Sequence, residues 1–225
     1  MRRGRRLKAA ALLGLGLPTA ALVALAATGR DARSYETLAP GGTVEVEGRA
    51  IRLADLAERH CPRFLIDPDH ASPPLVEVLW EALPRGEGSL ALVYRHVWAD
   101  ERHPWAALHP AYAAYRAAKY GSVRDIEAFT VEVALAAGTV ERLLFEGPDG
   151  PTFHAPFVRH VPVVVERPPL GPDGRPLVLV ATWNHLVRLA GQDEARAARA
   201  LEAPLRPLDD DAYARFKMQR RSGPP

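Results

Sequence analysis

Between Tyr120 and Leu135 the sequence YGSVRDIEAFTVEVAL alternates in a way that only a half-buried strand can use. Phe129, Val131, Val133 and Leu135 make one apolar face, and the same face runs back into Glu127 and Asp125. Two carboxylates on the core side of a strand constrain the fold around them. Burying a charge without a partner is costly, so these acids must meet cations, share protons or line the mouth of a pocket.

Two further runs repeat the pattern. In SLALVYRHVWADERH the face of Leu90, Leu92 and Tyr94 continues into His96, Trp98 and Asp100. In RPLVLVATWNHLVRL the alternate residues Leu177, Leu179, Ala181, Trp183 and His185 form a third such face, read here as one strand. VERLLFEG and TFHAPFVRHVPVVVE flank a GPDG turn and read as a hairpin, GGTVEVEG as a small hairpin or strand, and RFLID as a short strand. Helical spacing is expected in IRLADLAERH, in SPPLVEVLWEAL with Ser72 as N-cap, in HPAYAAYRAAKY and in DEARAARALEA. The 21 prolines and 17 glycines fall mostly between apolar runs, as turns do. The expected class is α+β: a β-rich, mostly antiparallel sandwich with peripheral helices.

MRRGRRLK followed by the charge-free run Ala9–Ala27 has the layout of an export signal or a single membrane anchor. Ala24-Leu25-Ala26 offers a small-residue cleavage site. The expected division is 1–28 leader or anchor, 29–48 linker, 49–205 globular domain and 206–225 polar tail. The protein is then exported: periplasmic, extracellular, or held in the inner membrane by residues 9–27 if the leader is uncleaved. A single cysteine, Cys61, leaves no internal disulfide. A formal net charge of +2 gives no ground for nucleic acid as a partner.

If the first two strands pair antiparallel, the end of one lies beside the start of the other. A third antiparallel strand then brings His185 to the same rim. The candidate ligand-binding residues are His96, Asp100, Asp125, Glu127 and His185, with Asp125, Glu127 and His185 as metal ligands. Oxygen-rich sets suit Mg²⁺, Ca²⁺ or Mn²⁺, and imidazole tilts the choice towards Mn²⁺, Zn²⁺ or Fe²⁺. The sequence carries no GxSxG, HExxH, P-loop or CxxC motif. Two other roles stay open for the same residues. Glu127 or His185 would serve as general base in a metal-dependent hydrolase. Alternatively the acids are salt-bridged, Glu127 to Arg124, Arg95 or Arg116, in a structural envelope protein. Whether the protein is an enzyme is therefore left open.

GSVRDIEAFTVEV resembles the signature strand of the superfamily that holds the necrosis-inducing (NPP1-like) and Vps62-type proteins. There a Gly-x-x-His-Asp-Trp-Glu stretch opens a strand of a central β-sandwich. Asp125 and Glu127 match its two acids, while Ser122, Arg124 and Ile126 stand where that family has histidines and tryptophan. LAERHCPRFLIDPDHASPP, LALVYRHVWADERHP and TWNHL are similar to other segments of that family, in the same order. The resemblance implies a β-sandwich whose acids hold a divalent cation and a polar ligand, a glycan or lipid head group.

Overall fold

A computed structural model of the chain describes residues 36–212, apart from positions 87, 121, 151, 152, 154, 156 and 210. The leader or anchor expected at 1–28, and the tail beyond 212, lie outside the described residues. Among the described residues no helix is long and apolar enough to cross a membrane.

The elements follow in chain order as β1 (Thr43–Val46), β2 (Arg49–Arg52), α1 (Leu53–His60), β3 (Arg63–Ile66), β4 (Leu75–Arg85), β5 (Ser89–Trp98), α2 (His109–Tyr120), β6 (Asp125–Ala134), β7 (Thr139–Pro148), β8 (His160–Glu166), β9 (Leu177–Val180), β10 (Val187–Leu189), α3 (Gln192–Ala197), β11 (Arg199–Ala200) and β12 (Leu205–Pro207). A six-stranded sheet in the order β12-β4-β5-β6-β7-β8 faces a four-stranded sheet in the order β10-β9-β3-β11. Pairing is antiparallel except for β12 with β4 and β3 with β9. The protein is thus a β-rich, mostly antiparallel sandwich with short peripheral helices.

The alternation read in the sequence builds the core. Tyr94 lies opposite Phe129, Leu92 opposite Val131 and Leu90 opposite Val133, so two strands lay one continuous apolar sheet face. Phe129 stacks on Phe145 of β7 at 5.0 Å. Phe64, Ile66, Val178 and Val180 of the facing sheet close the same core. Each such side chain contributes about 1.5–3 kcal/mol by leaving water. The buried Tyr94 hydroxyl donates to the Ala57 carbonyl at 2.8 Å, which ties α1 to the core. The β4–β5 reversal uses Gly86 and Gly88, both at positive φ.

Three expectations are corrected. SPPLVEVLWEAL is strand β4, not a helix. Both of its faces are covered: Leu75, Val78, Trp80 and Ala82 face the main core, while Leu79 packs on Val97, Leu208 and Ala212 behind the sheet. A strand buried on both faces loses its polar alternation, and its apolar residues then fall at helix-like intervals by coincidence. The run 177–189 is two strands, β9 and β10, around a tight turn. The helix expected in DEARAARALEA stops at Ala197, and Arg199–Ala200 pairs with β3 instead.

The packed unit also reaches past the expected limits of 49 and 205. The Leu38 amide donates to the Ala82 carbonyl at 2.9 Å, and Val46 of β1 is fully buried. At the other end β12 pairs with β4, and Leu208 and Ala212 are buried.

His60, in the last turn of α1, is buried, and neither ring nitrogen has a hydrogen-bond partner among the described residues. Burial first, and Arg59 second, push its pKa from 6.5 to about 4. Its folded pKa is depressed, so between those pH values the unfolded chain binds the extra proton and stability rises with pH. Denaturant melts should lose about 1.4 kcal/mol per pH unit from this residue as pH falls from 6.5 towards 4. His60→Leu should flatten the slope in that window by one proton. An unchanged slope would refute the assignment.

Candidate functional site

The site begins with the β5–β6 register. Trp98 lies opposite Asp125 and His96 opposite Glu127, so both acids share the inward face as period two requires. The β6–β7 ladder, however, stops at Phe129 and Phe145, while β7 continues alongside β8 to Pro148. The first half of β6 is therefore free of its β7 neighbour. The turn at 181–186, which belongs to the facing sheet, reaches it instead.

That turn is built around Thr182. Its hydroxyl donates to Asn184 Oδ1 at 2.7 Å and accepts the Leu186 amide at 3.0 Å, and its carbonyl accepts the His185 amide at 3.1 Å. His185 sits at φ 59°, a left-handed conformation that is uncommon for a residue with a side chain. The result aims His185 Nδ1 at Asp125 Oδ2, 2.9 Å away. The imidazole lies flat on the Trp98 indole, with centroids 4.2 Å apart and planes 7° apart. Trp98 Nε1 donates to His96 Nδ1 at 2.9 Å. Indole has only a proton to offer, so the His96 proton must be on Nε2. Burial holds the His96 pKa down to about 3, and it stays neutral. His96 and His185 are both fully buried, and the Nε2 atom of each has no partner among the described residues.

The other oxygen of Asp125 accepts from Arg116 of α2 at 3.1 Å. Arg116 also pairs with Glu101 and donates to the Arg124 carbonyl at 2.7 Å, and the Tyr112 hydroxyl donates to Glu101 at 2.5 Å. Tyr112 and Arg116 lie four residues apart on one side of α2. Glu101 and Asp125 are 4% and 5% exposed, so this is a buried chain of acid, guanidinium, acid and imidazole. Of the expected set, Asp125, His185 and His96 meet through Trp98. Asp100 does not join them: it accepts the Glu101 amide at 2.8 Å and lies 3.6 Å from His109.

Glu127 goes elsewhere. One ligand atom each of Glu127, Glu146 and His160 lie within 4.8 Å of one another. His160 Nδ1 and Glu146 Oε2 are 2.6 Å apart, and Asn184 Nδ2 is 3.3 Å from His160 Nε2. Glu127 is half-buried, whereas Glu146 and His160 are exposed. The β7–β8 register pairs Pro148 with His160, which puts Glu146 diagonally across on the same face. That hairpin was readable in the sequence; the departure of β7 from β6, which lets these residues meet Glu127, was not.

Beside α2 lies a string of rings. His103 is 5.2 Å from Trp183 and 5.8 Å from Trp105, and Tyr112 is 5.6 Å from Trp183 and 6.5 Å from Tyr115. Trp105 and Tyr115 are each 52% exposed.

No family model matches the chain, and no curated protein matches it. Among solved structures it is similar to NLPPya in complex with mannosamine, with a TM-score of 0.45 and 12% identity over 86% of this chain and 88% of that one. NLPPya in complex with glucosamine gives a TM-score of 0.44 at 12% identity over the same shares. Necrosis and Ethylene inducing Protein 2 from the causal agent of cocoa's Witches Broom disease gives 0.43 and 12%, over 80% of this chain and 86% of that one. Likeness at this level bears on no residue's role.

The two acids of β6 should separate on substitution. Asp125→Ala leaves Arg116 short of one carboxylate and the buried His185 Nδ1 without its acceptor, and should cost about 3–5 kcal/mol in urea melts. Glu127→Gln, on the half-buried rim, should cost about 1 kcal/mol or less. Equal costs would remove the distinction between a buried anchor and a rim acid.

Proposed function

We propose that the protein is an exported β-sandwich binding protein that holds a divalent cation and, through it, a polar ligand such as a glycan or lipid head group. The observation that carries this reading is the convergence of Glu127, Glu146 and His160 on a partly open rim. Two carboxylates and an imidazole make a mixed oxygen and nitrogen set that suits Mn²⁺ or Zn²⁺ better than Mg²⁺ or Ca²⁺. A cation would take the place of the direct contact between His160 Nδ1 and Glu146 Oε2. Because Glu146 and His160 are exposed, coordination positions would remain for a ligand from solution.

In this reading Asp125 and His185 are not metal ligands. Each already has a partner, Asp125 has two, and the pair is closed in by Trp98 and Arg116. Their role is to fix the turn at 181–186, whose Asn184 orients His160. The exposed rings of Trp105 and Tyr115 near this end of the fold would suit the apolar faces of a polar ring-shaped ligand.

Thermal melts decide the metal. Mn²⁺ or Zn²⁺ at about 100 times its Kd should stabilise the parent by about 2.7 kcal/mol. Glu127→Gln and Glu146→Gln should each abolish the gain. No cation-dependent shift in the parent would reject the site. The export half rests on the basic start and the charge-free run Ala9–Ala27. Fusing residues 1–40 to a reporter active only outside the cytoplasm should give signal, and a silent, stably expressed fusion would reject export.

A further inference from the structure

The turn that presents Asn184 to His160 also decides where the His160 proton sits. His160 Nδ1 lies 2.6 Å from Glu146 Oε2. An ionised carboxylate only accepts, so Nδ1 carries the proton in this contact. The other ring nitrogen agrees. Asn184 Nδ2, an amide donor, faces His160 Nε2 at 3.3 Å, so Nε2 offers its lone pair. The orientation of the Asn184 amide is set in turn by Thr182. The Leu186 amide donates to Thr182 Oγ1 at 3.0 Å, and the hydroxyl proton goes to Asn184 Oδ1 at 2.7 Å. Thr182 is fully buried and Asn184 is 7% exposed, so solvent gives this pair little relief.

The chain of donors runs one way: Leu186 amide to Thr182, Thr182 to Asn184, Asn184 to His160, His160 to Glu146. It ends by placing a proton on the nitrogen that a cation among Glu127, Glu146 and His160 Nδ1 would need. With the Nδ1 lone pair given to a cation, a neutral imidazole carries its proton on Nε2. The Asn184 N–H then faces another donor. Turning the amide over restores that contact, with Oδ1 accepting from Nε2. It also brings Nδ2 to Thr182, whose oxygen then accepts twice. The Thr182 proton meanwhile loses the one acceptor it has among the described residues. Leaving a buried group unsatisfied costs more than a made hydrogen bond adds, so the turn opposes the cation.

We infer that Thr182 and Asn184 regulate the rim: they hold His160 in the tautomer that excludes a cation, and binding requires the Asn184 amide to reverse. The inference rests on the reading of Glu127, Glu146 and His160 as a cation site. Neither Thr182 nor Asn184 touches the cation. Both are positioning residues, and their sign is the reverse of the ordinary one. Hydrogen-bond partners of a ligating histidine usually support it, and losing one costs about 10–100-fold in metal affinity. Here losing the Thr182 hydroxyl raises the affinity, because the Asn184 amide is then free to turn.

The test titrates Zn²⁺ into the full chain against a fluorescent chelator. The parent should bind Zn²⁺ saturably. Thr182→Val keeps the shape of the side chain and removes the hydroxyl, and it should bind about fivefold more tightly although the fold is less stable. Asn184→Asp puts an acceptor towards both Thr182 and His160 Nε2, so no reversal is needed. In that background Thr182→Val should no longer tighten binding, and comparing within each background removes the effect of the added charge. If Thr182→Val does not fold, the parent's ring nitrogens decide. Nitrogen NMR of histidine-labelled protein should place the His160 proton on Nδ1 without Zn²⁺ and on Nε2 with it. No saturable binding by the parent would remove the rim reading and this inference together. Parent binding that Thr182→Val weakens, leaves unchanged or tightens equally in both backgrounds would overturn this inference alone. So would a His160 proton that stays on Nδ1 with Zn²⁺ bound.

Discussion

The carboxylate of Asp125 is buried on the core side of a strand, and much of this end of the sandwich is arranged to make that tolerable. An isolated buried carboxylate would shift its pKa and neutralise, or disrupt the fold. Here it draws in two elements that are distant in sequence. α2 delivers Arg116, and the turn between β9 and β10 delivers His185. Removing one partner of such a network exposes the cost of the other, so the network holds position more than it adds net stability. What it positions is the turn, and with it Trp183, Asn184 and the stacked Trp98–His185 pair.

The second organising fact is the separation of β7 from β6 beyond Phe145. Had the ladder continued, Gly147 would have faced Glu127, and the turn at 181–186 would have had no access to β6. The separation lets Glu146 and His160 meet Glu127. Farther along β7, a Cβ at Gly147 would stand 3.3 Å from the Val187 carbonyl of β10.

Much of this was legible from period two alone. The faces of β5 and β6, their antiparallel pairing, and the shared side of Asp125 and Glu127 follow from alternation and geometry. So does the β7–β8 hairpin. What failed did so for identifiable reasons. β4 is covered on both faces, so Leu75, Leu79, Trp80 and Leu83 imitate a helix. Thr182 breaks the run 177–189 through side-chain hydrogen bonds, and no glycine or proline there announces a turn. His185 reaches Asp125 by crossing from the facing sheet and does not pair beside β6. Glu101 and Arg116 belong to a long connection, where no periodicity says which side chains turn inward.

Asp125 and Glu127 show how far the setting of a carboxylate depends on its neighbours. They are the same kind of group, two residues apart, on one face of one strand. Asp125 lies where α2 and the 181–186 turn close over it, and its oxygens are used. Glu127 lies where β7 has moved away, and it is half exposed. Its two companions sit on β7 and β8, so the three donors span three strands. A cation bound by all three would tie the separated hairpin back to β6, at the point where the hydrogen-bond ladder gave out. Cation binding at this rim would then reinforce a stretch where β6 and β7 share no cross-strand bonds.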